Sequence, residues 1–508
     1  MSVLTLQEGS SEVAFICACP DWARSACAGE NLFGEYEGKK YCVLHYPSPS
    51  KTRAFKAVIE KKLRSNTLNF RGVWFPEHLV LNAFPNDLDC TGAFFSRGLD
   101  FSNAYFKSKA IFKDAVFGNG AGVGFASATF DGEADFSSAT FVLGISLKHA
   151  TFNSKANFSG AKFYFGSIFE AAKFHGVVNF SKAAFPANAF FIYTIFEDNA
   201  FFNESLFSAE ADFSSSAFNA GAYFFLTNFS GKADFSNATF NSDVEFNKAN
   251  FHREVTFRDA VFKSYLGFWG YDKDRIFTGE SSATFEYARI EQPEHTTFHT
   301  LMLRPSWLTN VDARKFAFTN VDWDWRSVNE EIAELTNRQV VPAHRLLAIT
   351  YRNLAVNAEE NNRYKEASRF RYMAMEARRL ERWRGFAFWT LGWWYWLASG
   401  YGERAWRAFV VLIGVWLLAA ALYTQVGFLR WEPRVSSEGE AAEARRDEMG
   451  EPLRWQRALT YSLGVMTLQK PEPRPATDAA QALVMLETIL GPVQAALLAL
   501  AIRRKFMR

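Results

Sequence analysis

Four of the five cysteines of this 508-residue chain fall within its first 42 residues. Cys17 and Cys19 are separated by one residue, Cys27 follows, and Cys42 stands three residues before His45. A cysteine and a histidine at this spacing can bind one ion across a tight turn, and two further thiolates complete the tetrahedral ligand set that zinc prefers. The cluster therefore predicts a structural zinc site made by Cys27, Cys42, His45 and either Cys17 or Cys19.

Residues 1–50, which carry this cluster, are too few to bury a hydrophobic core, so metal binding would supply the folding energy of the segment. The alternative is a loop of free thiols with His45 at the surface. Because the first thirty residues lack a charged start followed by an apolar run, no secretory signal is expected. We therefore predict that this segment stays in the cytosol, where disulfides are rare.

Glu487 is a carboxylic acid inside an apolar stretch, residues 480–502. An acid at the centre of a membrane span costs about 2.5–3.5 kcal/mol on insertion scales, so such residues usually face other protein groups or water. Two roles are open for Glu487. It can line or gate a pore, or it can accept a hydrogen bond from a neighbouring helix through Tyr461, Ser462 or Thr467.

The C-terminal part of the chain contains the elements that would position these groups. Residues 405–428 and 480–502 are each long enough to cross a membrane at about 1.5 Å per residue. Between them, residues 455–469 are apolar with Thr and Ser but too short to span, which predicts a re-entrant half-helix. Residues 385–403 are rich in Trp and Tyr and predict a helix at the membrane interface.

A span, a half-helix and a second span resemble the two-transmembrane potassium-channel pore module, over about residues 384–508 with the channel-like domain at 404–508. The resemblance rests on Ala458-Leu-Thr-Tyr-Ser462, then Met466-Thr467, and on an acid and a glycine in the inner helix. It implies a homotetramer in the inner membrane that passes ions. Two residue sets follow: the pore or filter-like residues Thr460, Ser462, Met466, Thr467, Gln469 and Lys470, and the inner-helix residues Glu487 and Gly491.

The filter of that family reads Thr-Val-Gly-Tyr-Gly, whose carbonyls replace the hydration shell of an ion. This chain has Thr467-Leu-Gln-Lys-Pro471 instead. No glycine is present for the strained carbonyl geometry, and Lys470 places a positive charge at the mouth. The sequence therefore predicts an unselective pore, an anion pore or a module that does not conduct.

The central part of the chain repeats. Phe recurs from Phe101 to Phe268 in alternating steps of five and six residues, with Leu147 replacing one Phe and one longer step between Phe117 and Phe125. A helix cannot satisfy this period, whereas short strands can, because a small residue two positions before each Phe points to the same side. Repetition at a short fixed period indicates a solenoid with the Phe side chains in its core.

The repeats resemble the pentapeptide-repeat family, as in Ala134-Asp-Phe-Ser-Ser138 and Ala156-Asn-Phe-Ser-Gly160. The resemblance implies a right-handed, four-sided β-helix, here with a coil of about 22 residues, two widened corners and about eight coils stacked roughly 4.8 Å apart. The fold class is therefore mainly β with α. We place the β-helix at residues 70–325, after a capping helix at 51–69.

Residues 326–384 have helical spacing with a break at Asn361-Asn362, which resembles a single tetratricopeptide-type hairpin. From 345 to 384 there are ten Lys/Arg against five Glu, and basic residues follow the second span at once. Because positive residues flank spans on the cytosolic side, both termini are predicted to be cytoplasmic in a multi-pass inner-membrane protein.

These features predict a membrane ion-channel-like protein whose cytosolic solenoid is a sensor or an assembly domain. The alternative is a non-conducting, membrane-anchored interaction scaffold. Membrane lipid, ions, further copies of the chain and an unknown protein on the solenoid are the expected partners. Residues 90–270 carry 16 Asp/Glu and 14 Lys/Arg, so the rod lacks the negative charge of a DNA mimic, and nucleic acid is not expected. No nucleophile–base pair or phosphate loop indicates an enzyme.

Overall fold

The computed structural model describes residues 15–80, 82–118, 122–271, 276–381, 390–429 and 451–506. The chain divides into two compact units, Met1–Trp325 and Arg326–Arg508. The first is mostly a parallel β-solenoid, and the second is helical.

The solenoid has four faces, each a parallel sheet of short strands. Face A has eleven strands: Leu88–Asp89, Ala110–Ile111, Ala134–Asp135, Ala156–Asn157, Val178–Asn179, Ala200–Phe201, Ala222–Tyr223, Val244–Glu245, Leu266–Trp269, Thr296–Leu303 and Ala317–Trp323. Face B has nine: Trp74–Phe75, Phe94–Phe95, Val116–Phe117, Thr140–Phe141, Lys162–Phe163, Ala184–Phe185, Leu206–Phe207, Asn228–Phe229 and Asn250–Phe251.

Faces C and D have ten strands each. Face C is formed by Leu79–Val80, Leu99–Asp100, Val123–Gly124, Ile145–Ser146, Ser167–Ile168, Ala189–Phe190, Ala211–Asp212, Ala233–Asp234, Glu254–Thr256 and Ser282–Thr284. Face D is formed by Ala83–Phe84, Tyr105–Phe106, Thr129–Phe130, Thr151–Phe152, Lys173–Phe174, Ile195–Phe196, Ala217–Phe218, Thr239–Phe240, Val261–Phe262 and Arg289–Ile290. Three short 3-10 helices, Pro293–His295, Pro305–Leu308 and Ala313–Lys315, interrupt the last coils.

The register confirms the predicted coil of about 22 residues, since Ala134 pairs with Ala156 and Ala156 with Val178. The ladder Phe residues are buried, and their rings stack from coil to coil, as in Phe136 on Phe158 at 5.0 Å. The longest face has eleven strands rather than the expected eight coils. The period of Phe underestimates the length because coils continue on both sides of it with other apolar residues inside.

Two kinds of corner alternate around each coil. The five-residue step after a core Phe places its second residue in the left-handed region, as at Ser138, Lys182 and Leu226, with φ of 57°, 59° and 55°. The six-residue step has an additional residue instead. The predicted widening of two corners per coil therefore follows from the alternation of the two steps.

The N-terminal segment consists of a 3-10 helix (Asp21–Cys27), the antiparallel hairpin β1 (Leu32–Tyr36) and β2 (Lys39–Cys42), a 3-10 turn (Pro49–Lys51) and helix α1 (Thr52–Arg64). The ring of Phe55 in α1 lies 5.5 Å from Phe75, so α1 covers one end of the solenoid.

The second unit contains seven helices in its described part, and an antiparallel pair, Gly427–Phe428 with Glu451–Pro452. The helices are α2 (Val328–Asn337), α3 (Ala343–Glu360), α4 (Tyr364–Glu381), α5 (Leu391–Ser399), α6 (Ala405–Tyr423), α7 (Trp455–Met466) and α8 (Asp478–Phe506). A capping box between Ser327 and Glu330 begins α2. Helices α3 and α4 pack as a hairpin around the break at 361–363.

Helices α6 and α8 are long and apolar enough to cross a membrane. Only 17% of each apolar window is buried, which is unlike the core helix of a soluble protein. The predicted interfacial helix corresponds in part to α5, and residues 385–389 of that prediction lie outside the described residues. Residues 430–450 of the predicted outer loop do as well.

Candidate functional site

The N-terminal cluster brings Cys17, Cys27, Cys42 and His45 together, with one ligand atom of each within 4.8 Å of the others. The Cys17 sulfur lies 3.7 Å from that of Cys42 and 3.7 Å from Nδ1 of His45. An ideal tetrahedron with zinc–sulfur distances of about 2.3 Å places two sulfurs about 3.8 Å apart. All four residues are buried. The arrangement fits a four-coordinate, closed metal site.

The imidazole of His45 is held by a backbone carbonyl. Its Nε2 lies 3.0 Å from the Arg71 oxygen, which leaves Nδ1 directed at the thiols. Such an outer hydrogen bond fixes the tautomer of a metal-binding histidine. Cys42 also donates its backbone N–H to the Cys17 sulfur at 3.4 Å. The residues that position the cluster therefore come from β2, the turn after it and the first coil.

The charges in the cluster favour one anionic sulfur even without an ion. Hydrogen bonds from Cys42 and His45 lower the pKa of Cys17 to about 3, although burial opposes them. Burial raises the pKa of Cys19, whose sulfur lies 3.8 Å from that of Cys27. Since thiolates are the metal-binding form, these directions make Cys17 the fourth candidate ligand and leave Cys19 as a buried neighbour.

A fully buried lysine lies beside the cluster. The Lys51 ammonium donates to the Leu44 carbonyl at 2.6 Å and lies 4.7 Å from the ring centre of Phe55. Burial lowers the pKa of Lys51 to about 7, and the thiols of Cys42 and Cys17 partly oppose this. The sequence gave no sign of this buried cation, because Lys51 lies in a basic stretch typical of a solvated helix.

Helix α7 lies in a segment that enters and leaves by the same end of α6. Before α7, Leu453 donates its N–H to the Tyr423 carbonyl at the end of α6. After α7, Ala476 donates to Gly427 at 3.0 Å, so the chain returns to the same place. At the far end of α7, Met466 touches Gly491, about 20 Å along α8 from Asp478. The segment 453–476 is therefore re-entrant with respect to α6 and α8.

The tip of this segment is a tight turn. Leu468 and Gln469 donate to the carbonyls of Val465 and Gly464, which ends α7 in a Schellman pattern. Leu468 has φ of 60°, where glycine is usual. A side chain on Gly491 would lie 2.9 Å from Met466 Cγ, so Gly491 allows the tip to approach α8.

Glu487 is buried and joins the three helices. Its Oε1 accepts a hydrogen bond from Ser462 on α7, and its Oε2 accepts one from Tyr423 on α6 at 2.5 Å. The Tyr461 ring packs 5.1 Å from that of Tyr423. Thr467 donates instead to the Leu463 carbonyl of its own helix at 2.9 Å. Glu487 thus holds α7 against both long helices.

The remaining pore-like residues lie on the outer side of the segment. Thr460, Leu463 and Thr467 are exposed and share one face of α7, as their spacing of three and four residues requires. Gln469 and Lys470 at the tip are exposed as well. Ser462 is buried, and Met466 is partly buried against α8. One face of the segment is thus packed and the other is polar and uncovered within this chain.

Sequence reasoning missed two residues of this region, Tyr423 and Gln494. Gln494 donates from Nε2 to the carbonyls of Ala398 and Ala408 at 2.7 and 2.8 Å, which joins α8 to α5 and α6. A usable signal existed, because Gln494 follows Glu487 by seven residues and therefore shares its helix face. Tyr423 carried no such signal, since a Tyr near a span end is typical of the membrane interface.

Residues 224–270 match the family model described as Pentapeptide repeats (9 copies). No curated protein and no solved structure matches the chain. The family match lies within the solenoid and agrees with its repeat architecture. The chain therefore combines a pentapeptide-repeat solenoid with two helices long and apolar enough to cross a membrane.

Proposed function

We propose that this protein is a channel-like membrane protein in which several copies bring their re-entrant segments 453–476 around a shared axis. The pentapeptide-repeat solenoid would then be a cytosolic sensor or assembly domain. One observation supports the proposal above the others: the re-entrant segment has an uncovered polar face that ends in Thr467, Gln469 and Lys470.

Self-association follows from the position of that face. The tip lies near the middle of α8, at the depth of Gly491, where a lipid neighbour offers no hydrogen bonds. A charged side chain at such depth is costly unless it meets protein or water. Copies related by rotation would bury the faces against one another or line an aqueous axis. The resemblance to the two-transmembrane channels favours four copies.

The tip also bears on selectivity. The turn 467–471 contains no glycine, and its carbonyls at Gly464 and Val465 already accept hydrogen bonds from the turn. Lys470 would add one positive charge per copy near the axis. We therefore expect a pore without potassium selectivity, and a preference for anions over cations. Glu487 would act by holding α7, because its two oxygens already accept hydrogen bonds inside one chain.

Two measurements on purified full-length protein test this proposal. Gln469→Cys is expected to cross-link between copies, whereas Leu418→Cys, on the exposed side of α6 (62% exposed), is the matched control and is expected not to. Planar-bilayer recordings under chloride and potassium gradients test conduction. Monomeric protein in mild detergent, together with no cross-link at position 469, would contradict the assembly.

A non-conducting scaffold is the second candidate, favoured by exposed aromatic side chains on the solenoid. Phe165, Tyr193 and Trp269 are 57%, 61% and 46% exposed, and single aromatics of this kind can bind a protein partner. Cross-linking at position 469 without current under any gradient would favour this candidate over the channel.

We further infer that the N-terminal cluster holds one structural zinc through Cys17, Cys27, Cys42 and His45. The tetrahedral distances and the fixed histidine support it. Elemental analysis is expected to find about one zinc per chain. The double variant Cys42→Ser, His45→Ala is expected to lose it, while Cys90→Ser, a buried thiol outside the cluster, is expected to retain it. Folded wild-type protein without zinc would contradict the inference.

A further inference from the structure

A cavity of about 710 Å³ opens in the second unit where α4 begins, α6 begins and α8 ends. Its lining includes the cations Arg363, Lys365, Arg404 and Arg504 and the acids Glu366 and Glu403. None of these residues belongs to the re-entrant segment. The cavity therefore requires its own explanation.

The acids of the cavity are already neutralised. Glu366 pairs with Arg363 at 2.9 Å, and Glu403 pairs with Arg504 at 3.4 Å and accepts a hydrogen bond from Ser368. Of the four cations, Lys365 and Arg404 remain, and within the described residues neither forms an ion pair. The cavity thus carries two positive charges without a counter-charge from the protein.

The position of Arg404 increases this positive potential. Arg404 directly precedes α6, which begins without a capping side chain, so the N–H groups of its first turn lie beside Ala405 and Trp406 in the cavity wall. The Arg404 guanidinium is held 4.3 Å from the ring centre of Tyr372. Burial and the nearby Arg404 both lower the pKa of Arg369, as expected where cations lie close together.

The cavity lies at the ends of the two apolar helices. Arg404 stands one residue before α6, and Arg504 is the last residue of the apolar helix span that ends α8. Trp406 is 67% exposed beside the cavity, and Phe409 and Val410 continue an exposed apolar surface one turn further. Exposed Trp beside cations is typical of the level of lipid headgroups.

We propose that this cavity binds the phosphate group of an anionic membrane lipid. Lys365 and Arg404 would bind the phosphate oxygens, the first turn of α6 would donate N–H groups, and Phe409 and Val410 would contact the acyl chains. Phosphate esters are the shared chemistry of lipid headgroups and soluble phosphate compounds. The lipid source is favoured because the cavity continues into the apolar surface of α6.

The test measures phosphatidate and phosphatidylcholine binding to full-length protein in detergent by native mass spectrometry. Each cation near a phosphate contributes about a fivefold gain in affinity, so Lys365→Gln with Arg404→Gln is expected to weaken phosphatidate binding about 30-fold. Phosphatidylcholine binding is expected to stay weak in both proteins. Arg503→Gln removes an exposed cation one residue from Arg504 and outside the cavity, so it is the matched control and is expected to bind like the wild type.

Three results would overturn the proposal. Equal loss in Arg503→Gln would mean that binding depends on general surface charge. Unchanged binding in the double variant would exclude the cavity. Tighter binding of inorganic pyrophosphate or ATP than of phosphatidate, lost in the double variant, would assign the cavity to a soluble phosphate compound instead. If the double variant does not fold, Ala405→Glu places an acid in the wall and is expected to reduce phosphatidate binding similarly. Because lipid binding is measured without current, failure of the channel proposal does not affect this result.

Discussion

Replacing Phe180 with Ala tests whether the Phe ladder holds the solenoid together. Phe180 is fully buried near the middle of the rod. Its ring stacks on Phe158 at 4.9 Å and on Phe202 at 5.1 Å, and meets Phe169 and Phe191 edge-on at 5.3 and 5.5 Å. Four aromatic pairs are therefore lost in one substitution.

We expect a cost of about 5 kcal/mol, at the upper end of the range of about 3–5 kcal/mol for such deletions. The lower values arise where neighbours collapse into the cavity. Here the coils cannot approach, because Phe180 donates to the Phe201 carbonyl and Phe158 to that of Asn179, both at 2.7 Å. Ring pairing adds to the loss beyond the buried area.

The matched control is Lys182→Ser, two residues away. Lys182 is exposed and forms only a loose ion pair with Glu204 at 3.8 Å, so the substitution is expected to stay within about 0.5 kcal/mol. Because a solenoid need not unfold in one step, the assay is amide hydrogen exchange of the coils around position 180. A loss of about 4–5 kcal/mol increases exchange there at least about a thousandfold. Equal effects of the two substitutions would mean that the assigned register is wrong.

Further outcomes follow from the same geometry. Glu487→Leu leaves two buried hydroxyl donors without an acceptor and is expected to destabilise α7 by about 2–3 kcal/mol, with Glu487→Gln in between; unchanged exchange of the α7 amides would contradict this. Leu226→Asn is expected to stabilise the solenoid by up to about 1 kcal/mol in denaturant unfolding, because Asn tolerates the left-handed φ of 55°; Leu206→Asn, on a regular strand, is expected not to, and equal changes would contradict the strain. Cys17→Ser is expected to abolish zinc binding and Cys19→Ser to preserve it, and the reverse result in elemental analysis would exchange their roles.

The solenoid could be predicted because its information is local and periodic. An eleven-residue repeat of Phe determines which side chains point inward, and the pairing of Ala134 with Ala156 follows from it. The number of coils was underestimated because an inward position requires only an apolar side chain. At Leu88 and Leu266 the chain keeps its path without the residue that marks the repeat.

The sites depended on contacts between distant residues and were less accessible. Cys17 and Cys19 are equivalent in sequence, and only the N–H of Cys42, 25 residues further, distinguishes Cys17. Glu487 could be recognised as a buried acid, and Ser462 was among its expected partners. Its second partner, Tyr423, is 64 residues away, and no periodicity relates the two.

The fixed register of the solenoid separates its length from its rotation. Ser167 pairs with Ala189, so deletion of residues 167–188 would shorten the rod by about 4.8 Å and leave every later side chain on its face. Deletion of residues 167–177 would place Val178 of face A after Gly166 and turn the remaining coils halfway around the axis. The left-handed corners tolerate both changes, because they recur every eleven residues, as at Ala171 and Lys182. Gain or loss of whole coils therefore changes only the distance between the two ends of the rod, and gain or loss of half coils changes their direction.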